Sequence, residues 1–428
     1  MVIELLVRFL RWNMRLWYLI LRLLDRVTSQ EERNERSSCS NSAVVSVSSV
    51  LKACSTVLFS GRTELVLDTS YLSYPSFVRT SAPPPGRNNK LFLTPPKMIV
   101  LPMTILVTGG GGFIGSHLVD YLLSETAETI YVLDDFSTGN PSNLAHLETD
   151  RITIKHGDIR ESETVTKAAT DADKIYHLAA AVGVEKVVDE PLDSLQTNLK
   201  GTENVLEAAL TEDADVFIAS SSEVYGKSNS LPFSEDDDRI LGPINVPRWG
   251  YASAKAVDEF LGLAYHEQYE LPVTIGRYFN IVGPRQVGEY GMVIPTFVEQ
   301  ALAGKPLTVY GDGTQQRSFT HVADAVKASH ELLEATQAQG EIFNIGTANP
   351  TTINELAKRV IEQADSTSAI THVPFKEVYG ENFEEPDRRE PDITKLRETL
   401  GWAPKLDLDR ILVDVIAERR SNQQREAG

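Results

Sequence analysis

The stretch TILVTGGGGFIGSHLVDYLL, residues 104–123, decides the fold. A short apolar run is followed by a glycine cluster and then by apolar residues at helical spacing, which predicts a strand, a tight turn and a helix. Glycines in such a turn let backbone N–H groups approach a pyrophosphate, although a glycine cluster alone is also compatible with a purely structural turn. We expect these residues to contact a dinucleotide: Gly109, Gly112, Phe113, Ile114 and Gly115.

A second strand pattern supports the dinucleotide interpretation. Residues 129–133 are mostly apolar and end in Asp134, which lies 25 residues after Gly109. A carboxylate at this strand end can accept hydrogen bonds from both ribose hydroxyls of NAD and would repel the 2′-phosphate of NADP. The sequence therefore predicts NAD as the cofactor.

Two more strand patterns extend the unit. Residues 152–154 lead to Asp158 and Ile159, where Asp158 either meets the adenine or caps the following helix. Residues 174–180 end in small side chains, so we expect Ala179 to lie against the cofactor. Strands that alternate with helices of this length predict an α/β fold, with a doubly wound parallel Rossmann sheet and a smaller C-terminal substrate-binding domain.

A catalytic group is predicted beyond the fifth strand pattern. Residues 216–219 are followed by Ser220-Ser221-Ser222-Glu223, and Tyr251 and Lys255 stand four residues apart at the start of a helical pattern. This spacing places phenol and ammonium on one helix face, where the positive charge lowers the phenol pKa and favours proton abstraction. A YxxxK pair alone is common on surfaces, but after a dinucleotide fingerprint it favours catalysis.

From Met103 onward the sequence resembles the extended short-chain dehydrogenase/reductase family, which includes NAD-dependent nucleotide-sugar epimerases, dehydratases and decarboxylases. The resemblance implies that Tyr251 is the base, Lys255 its partner and Ser221 the neighbouring hydroxyl. It further implies a 4-keto sugar intermediate, formed by oxidation at C4. Other matching segments are TNLKGT at 197–202 with Asn198, YFNIVGPR at 278–285 with Asn280, and YGDG at 310–313 followed by Arg317.

These matches imply further ligand-binding residues. Asn198 supports the cofactor side, and Asn280 and Arg317 bind the nucleotide sugar. The planar fork of the Arg317 guanidinium suits diphosphate oxygens.

The reaction that follows C4 oxidation is indicated by Glu223. Ser221-Ser222-Glu223 is similar to the motif of UDP-glucuronate decarboxylases and GDP-mannose 4,6-dehydratases, although Glu223 is also compatible with a turn-stabilising role. Residues 242–251, with Arg248 as a substrate-binding residue, resemble bacterial enzymes that oxidatively decarboxylate UDP-glucuronate. Arg389 matches the arginine that faces the substrate carboxylate in decarboxylases, or is a surface charge.

Several alternatives remain open on the sequence. Residues 252–256 are similar to epimerases and dehydratases and unlike simple decarboxylases. Decarboxylation of UDP-glucuronate is favoured, and the alternatives are a 4-epimerase acting on UDP-glucose or UDP-glucuronate and a GDP-mannose-type 4,6-dehydratase. From a different class, a non-catalytic NAD-binding regulator is disfavoured because Ser221, Tyr251 and Lys255 are all present.

The chain is expected to contain three parts. Residues 1–102 form a basic, Ser-rich leader that is either disordered or a mis-assigned start, within which residues 1–24 could form an arginine-bearing amphipathic helix at a membrane surface. Residues 103–280 form the NAD-binding domain. Residues 281–428 form the nucleotide-sugar-binding domain, with about 322–346 returning to the Rossmann sheet.

Charge and cysteine content restrict location and partners. Of 428 residues, the first 102 carry 13 Lys or Arg and 7 Asp or Glu, whereas the remainder carry 28 and 53. The strong acidity of the remainder argues against nucleic-acid binding. Cys39 and Cys54 are the only cysteines, which favours the cytoplasm, and no metal-ligand spacing is found. A homodimer through helices near 197–210 and 252–269 is expected, with no integral membrane span.

Overall fold

The computed structural model describes residues 103–181, 189–288, 292–379 and 388–426. The predictions for the leader, residues 1–102, lie outside these ranges. Within the described ranges, no helix is both long enough and apolar enough to cross a bilayer.

The centre of the molecule is a seven-stranded sheet in which every neighbouring pair of strands is parallel. Its first six strands in chain order are β1 (Thr104–Thr108), β2 (Thr129–Asp134), β3 (Ile152–His156), β4 (Lys174–His177), β5 (Asp215–Ser221) and β6 (Val273–Tyr278). The seventh is the strand Glu341–Ile345, numbered β11 in chain order. Across the sheet the order is β11-β6-β5-β4-β1-β2-β3. Strands β2 and β3 lie on one side of β1, and β4, β5, β6 and β11 lie on the other. The order in which strands are added therefore reverses between β1 and β4, as in a doubly wound sheet.

Helices cover both faces of this sheet because its central strands are buried on both sides, as in parallel sheets generally. One face packs against apolar side chains of α1 (Phe113–Glu125), including Leu118 and Leu122. The other face packs against α2 (Ser162–Ala169), α3 (Pro191–Glu212) and α4 (Pro247–Tyr269). The predicted α/β, doubly wound Rossmann fold is therefore confirmed.

A second apolar core lies in the C-terminal part of the chain. It is formed by side chains such as Phe297, Leu356 and Leu412. The helices in the C-terminal part of the chain are α5 (Val293–Leu302), α6 (Val322–Glu334), α7 (Ile353–Gln363), α8 (Phe375–Tyr379), α9 (Thr394–Leu400) and α10 (Leu408–Glu426). The strands are β7 (Ile281–Val282), β8 (Leu307–Tyr310), β9 (Gln316–Ser318), β10 (Thr320–His321), β12 (Pro350–Thr352), β13 (Ile370–Val373) and β14 (Arg388–Arg389).

Several C-terminal elements pack on the Rossmann sheet rather than on the second core. Helix α6 packs against α1, and β11 pairs with β6 from Glu341↔Thr274 to Ile345↔Tyr278. Leu396 of α9 also belongs to the first core. The domain boundary at residue 280 stays a prediction, since the chain crosses between the two cores more than once.

Candidate active site

The glycine turn after β1 has the geometry that the fingerprint predicts. Gly109 has φ +71°, and a Cβ on it would lie 2.6 Å from the backbone nitrogen of Ala179. A Cβ on Gly115 would lie 2.1 Å from the carbonyl oxygen of Gly109, so side chains are excluded at both positions. The turn leaves open backbone against a large cavity, into which Phe113 and Ile114 also face.

Asp134 organises the same turn. Its Oδ2 accepts a hydrogen bond of 2.8 Å from Gly111 N, and its Oδ1 accepts one of 2.7 Å from Phe136 N. Burial raises the pKa of Asp134, against the opposing effect of these backbone hydrogen bonds. Each carboxylate oxygen has a further lone pair, and Asp134 lines the cavity at the end of β2. This arrangement fits a ribose diol.

Asp158 does not cap the helix. Helix α2 begins at Ser162 with Glu161 in the cap position, so the prediction that Asp158 could cap the helix is wrong. The Asp158 side chain forms a tight turn instead. Asp158 Oδ1 accepts from Arg160 N at 2.8 Å, and Oδ2 accepts from Arg160 Nε at 2.8 Å. Although burial opposes it, these bonds lower the pKa of Asp158. Ile159 and Arg160 line the cavity, and a contact of Asp158 with adenine stays a prediction.

Arg160 was not predicted from the sequence. Its guanidinium also hydrogen-bonds Asp193 at the start of α3, and thus ties the loop after β3 to that helix. The sequence signal was a basic residue two positions after Asp158, which is too common to single out.

Asn198 fixes the backbone after β4. Its Oδ1 accepts a hydrogen bond of 2.9 Å from Ala181 N, and its side chain is buried. Ala179 and Ala181 line the cavity, so Asn198 acts on the cofactor wall from behind. This geometry agrees with its predicted supporting position.

Ser221, Tyr251 and Lys255 come together where β5 ends and α4 begins. The Ser221 side chain caps the short 3-10 helix Ser222–Tyr225, where its oxygen accepts a hydrogen bond from Glu223 N. Burial raises the pKa of Tyr251 above its ordinary value, and the positive charge of Lys255 and the hydroxyl of Ser221 offset this effect only in part. Lys255 is buried, and its Nζ donates to Asp258 Oδ2 at 2.9 Å. A phenol, an ammonium and a hydroxyl grouped in this way can accept a proton from a bound alcohol.

Glu223 is held by two arginines from distant parts of the chain. Arg248 donates from Nε to Oε2 and from Nη2 to Oε1, both at 3.0 Å, and Arg389 Nη1 also donates to Oε1. The two arginine side chains are almost fully buried, at 8% and 9% exposure. All three residues line the cavity that contains Tyr251. Arg389 is therefore not a surface charge in this structure, and Glu223 is more than a turn-stabilising residue.

The cavity that joins these groups has a volume of about 740 Å³. Its lining includes residues from the glycine turn to β9, among them Asn280 and Arg317. Asn280 Nδ2 donates to Ser318 O at 2.8 Å, and Arg317 Nη1 donates to Gln316 O at 2.7 Å. The structure thus brings nearly all the predicted site residues to one cavity: Asn198 stands behind its wall, and Asp158 stands at its edge beside Ile159. Among the described residues, no group of three His, Cys, Asp or Glu side chains could hold a metal ion.

The fold and this cavity define an NAD-dependent enzyme of the epimerase/dehydratase type. A family profile described as GDP-mannose 4,6 dehydratase matches residues 106–415, and the chain belongs to this family. The predicted family, enzyme class and NAD cofactor are confirmed. A non-catalytic regulator is accordingly not supported.

Individual relatives are informative about the reaction. The chain is 42% identical to a UDP-N-acetyl-α-D-glucosaminuronate decarboxylase of Bacillus cytotoxicus, over 73% of this chain and 96% of the relative. It is 38% identical to UDP-glucuronic acid decarboxylase 6 of Arabidopsis thaliana, over 76% and 89%. A solved dTDP-glucose 4,6-dehydratase of Streptomyces venezuelae with bound NAD has a TM-score of 0.67 and 32% identity, over 75% of this chain and 98% of that one.

Proposed function

We propose that this enzyme decarboxylates a UDP-linked hexuronate, with UDP-glucuronate or its 2-acetamido analogue as substrate. The observation that carries the proposal is the convergence of Arg248 and Arg389 on Glu223 beside Tyr251. Two guanidinium groups thus converge in a largely buried position of the cavity wall. Such a position favours a second carboxylate, which a hexuronate has at C6 and a neutral hexose lacks.

The relatives support the same substrate class. Two of the similar proteins described above are decarboxylases of UDP-linked uronates, and the chain covers nearly all of their length. We assign Arg317 and Asn280 to the nucleotide-sugar side, since both line the cavity and both have N–H donors that suit diphosphate and sugar oxygens.

The residues around Tyr251 then perform proton transfer at the C4 hydroxyl. Bound NAD supplies the reversible oxidation at sugar C4. The Tyr251 phenolate accepts the C4 hydroxyl proton, with Lys255 stabilising the negative phenolate and Ser221 donating a hydrogen bond to the sugar oxygen. At the other end of the cavity, Asp134 and the turn of Gly109 to Gly115 bind and orient the cofactor.

Decarboxylation requires little further chemistry from the protein. Once C4 is a ketone, the C6 carboxylate belongs to a β-keto acid, and breaking the C5–C6 bond releases CO₂ and leaves an enolate over C5, C4 and O4. Ser221 and the protonated Tyr251 donate hydrogen bonds to O4 and stabilise this enolate. A proton from solvent then adds to C5. When the C4 ketone is reduced again, Tyr251 returns its proton to O4, so that overall one proton replaces CO₂ in the product pentose. Arg389 and Arg248 hold the carboxylate before it leaves.

The same ion pairs disfavour a 4,6-dehydratase. That reaction requires a carboxylate free to remove the C5 proton, whereas both oxygens of Glu223 accept hydrogen bonds from guanidinium groups. Oxygens that already accept these hydrogen bonds have fewer lone pairs available for a substrate proton.

A panel of substrates tests the proposal. The full chain is incubated with NAD and, separately, with UDP-glucuronate, UDP-N-acetylglucosaminuronate, UDP-glucose and GDP-mannose, and CO₂ and the sugar products are measured by NMR. The proposal requires CO₂ from at least one uronate and no 4-keto-6-deoxy sugar from GDP-mannose. C4 inversion of UDP-glucose or UDP-glucuronate without CO₂ would assign a 4-epimerase instead.

We also propose a homodimer formed through α3 and α4. These two helices pack against each other and leave large apolar side chains exposed, among them Leu192 at 68%, Val257 at 42% and Phe260 at 60%. Burial of such side chains against a second copy is favourable because it removes apolar surface from water. We keep the cytoplasm as the proposed location, supported by the lack of cysteine in residues 103–428.

A further inference from the structure

We propose that Asp258 is a positioning residue that holds Lys255 in place and keeps it protonated, and through Lys255 sets the pH range in which Tyr251 accepts a proton. The inference rests on the proposed roles of Tyr251 and Lys255. It does not depend on which sugar the enzyme uses.

The geometry is that of a fully buried ion pair. Lys255 Nζ lies 2.9 Å from Asp258 Oδ2, and the two side chains are 3% and 0% exposed. They stand three residues apart on α4, so one helix carries Tyr251, Lys255 and Asp258 in fixed succession. Because a buried ammonium without a counter-charge would lose its proton, a carboxylate at this position determines the charge state of Lys255.

Asp258 is in turn connected to the glycine turn through a buried series of side chains. The hydroxyl of Thr202 on α3 acts to lower the pKa of Asp258, and Thr202 Oγ1 is 3.1 Å from His177 Nε2. His177 Nδ1 is 2.8 Å from the hydroxyl of Thr108, the last residue of β1. This series of side chains connects the Lys255–Asp258 ion pair to the end of β1, where the dinucleotide turn begins. The connection restricts where the Lys255 ammonium can lie.

The charged groups around Lys255 determine its pKa, and Asp258 is the group that forms an ion pair with it. Burial acts to lower the pKa of Lys255, but the charges of Asp258, Tyr251 and Glu259 together outweigh it, with Asp258 first among them, so that the pKa lies above its ordinary value. The neighbouring Glu259 is already paired with Arg277 in a two-point contact at 2.8 Å. The titratable and charged groups around Lys255 and Tyr251 are Asp258 and Glu259 on α4, His177 on β4, Glu223 after β5, and Arg277 on β6.

Asp258 has two opposite effects on the reaction. It keeps Lys255 charged at alkaline pH, and its negative charge also raises the pKa of Tyr251. Removing the charge should therefore shift both limbs of the pH profile, since Tyr251 would lose its proton at lower pH and Lys255 would also become neutral at lower pH. A role in packing alone would lower activity at all pH values without moving the limbs.

The titration of Lys255 in the free enzyme tests the proposal without substrate. The full chain is labelled with ¹³C at lysine Cε, the Lys255 resonance is assigned with Lys255→Met, and its chemical shift is followed against pH. In Asp258→Asn we expect the midpoint to fall by at least about one pH unit, a tenfold change in the protonation equilibrium. Asp258→Glu should restore most of the wild-type behaviour. An unchanged midpoint in Asp258→Asn overturns the proposal.

A second measurement uses turnover with the substrate found in the panel. The bell-shaped dependence of kcat on pH should move to lower pH as a whole in Asp258→Asn, and a lower rate with unmoved limbs overturns the proposal. If Asp258→Asn does not fold, Asp258→Ser also removes the charge, with a smaller side chain. The Lys255 midpoint should again fall by at least about one pH unit, and an unmoved midpoint overturns the proposal. If no substrate is turned over, the proposed function fails while the resonance titration still decides the role of Asp258.

Discussion

Arg389 Nη1 hydrogen-bonds Glu223 Oε1, although 166 positions separate the two residues in the chain. The contact exists because β14 pairs in parallel with β9 and places Arg389 beside Arg317, while Glu223 follows directly after β5. The Glu223 carboxylate, which follows β5 of the Rossmann sheet, therefore accepts a hydrogen bond from Arg389 in the C-terminal part of the chain. Because its oxygens accept hydrogen bonds from guanidinium groups, Glu223 fits the proposed decarboxylation better than a reaction that needs a free carboxylate at this position.

Replacing Arg389 should impair CO₂ release specifically. In Arg389→Ala, the cavity loses one of two guanidinium groups that hold the substrate carboxylate, and we expect kcat/KM for the uronate to fall about 100-fold or more. Arg389→Lys keeps the charge but not the two-point geometry, so an intermediate loss is expected. Arg388→Ala is the matched control, because Arg388 is exposed and pairs with Glu390. Equal losses in the 388 and 389 variants would contradict the assignment.

Tyr251→Phe should abolish most turnover while leaving the cofactor site intact. Without the phenol the C4 hydroxyl loses its proton acceptor, and kcat should fall roughly 10²- to 10⁴-fold. NAD affinity, measured by calorimetry, should change little. Tyr265→Phe on the same helix serves as the control and should keep wild-type turnover. Retention of more than half of the activity by Tyr251→Phe would exclude Tyr251 as the base.

The stability of the enzyme should fall as the pH drops below the ordinary histidine pKa. Burial lowers the pKa of His177 from 6.5 to about 3, so the unfolded chain binds a proton there before the folded one does. This contribution is complete above pH 6.5 and is lost as the pH falls from there to about 3, at up to roughly 1.4 kcal/mol per pH unit. Urea unfolding at several pH values measures it.

The histidine prediction has a matched pair of variants. His177→Asn should flatten the pH dependence of the unfolding free energy between about pH 7 and about pH 5. His146→Asn, which changes an exposed histidine paired with Asp120, should leave the dependence as in the wild type. Identical slopes in the wild type and His177→Asn would show that His177 does not remain neutral in the fold.

A charge on the apolar face of α4 should prevent dimerisation. In Phe260→Asp the introduced carboxylate would have to be desolvated between two copies, so sedimentation velocity should show a monomer where the wild type shows a dimer. Val413→Asp on α10 is the control, since Val413 is also apolar and 52% exposed but lies on another helix. A dimer in both variants would move the interface elsewhere.

Local sequence signals predicted the sheet and the cofactor end of the site well. The glycine turn and Asp134 depend on contacts within about one βαβ unit, and the periodicity of residues 104–123 already implies the strand, turn and helix that the structure contains. Tyr251 and Lys255 are one helical turn apart, so their proximity was equally local. Two roles were open for Asp158 on the sequence, and the helix cap is excluded because its side chain bonds Arg160 four residues before the helix.

The charge pairing at the reacting end could not be read from the sequence. Arg389 reaches Glu223 only because β14 pairs with β9, and β9 also pairs with β12. Strands of two and three residues have too little periodicity to predict such pairing. Asp258 lacked a signal for a different reason, because one more acidic residue on an amphipathic helix usually faces solvent, whereas here it lies beneath Lys255.

The most direct test of the account follows the carboxyl carbon of the substrate. The full chain is supplied with NAD and UDP-glucuronate or UDP-N-acetylglucosaminuronate labelled with ¹³C at C6, and ¹³C NMR records the label and the sugar product together. We expect labelled CO₂ and bicarbonate to appear at the same rate as a UDP-pentose, with one carbon released for each sugar consumed. Label that stays in the sugar while C4 inverts, or while the sugar remains unchanged in the presence of both uronates, would contradict it.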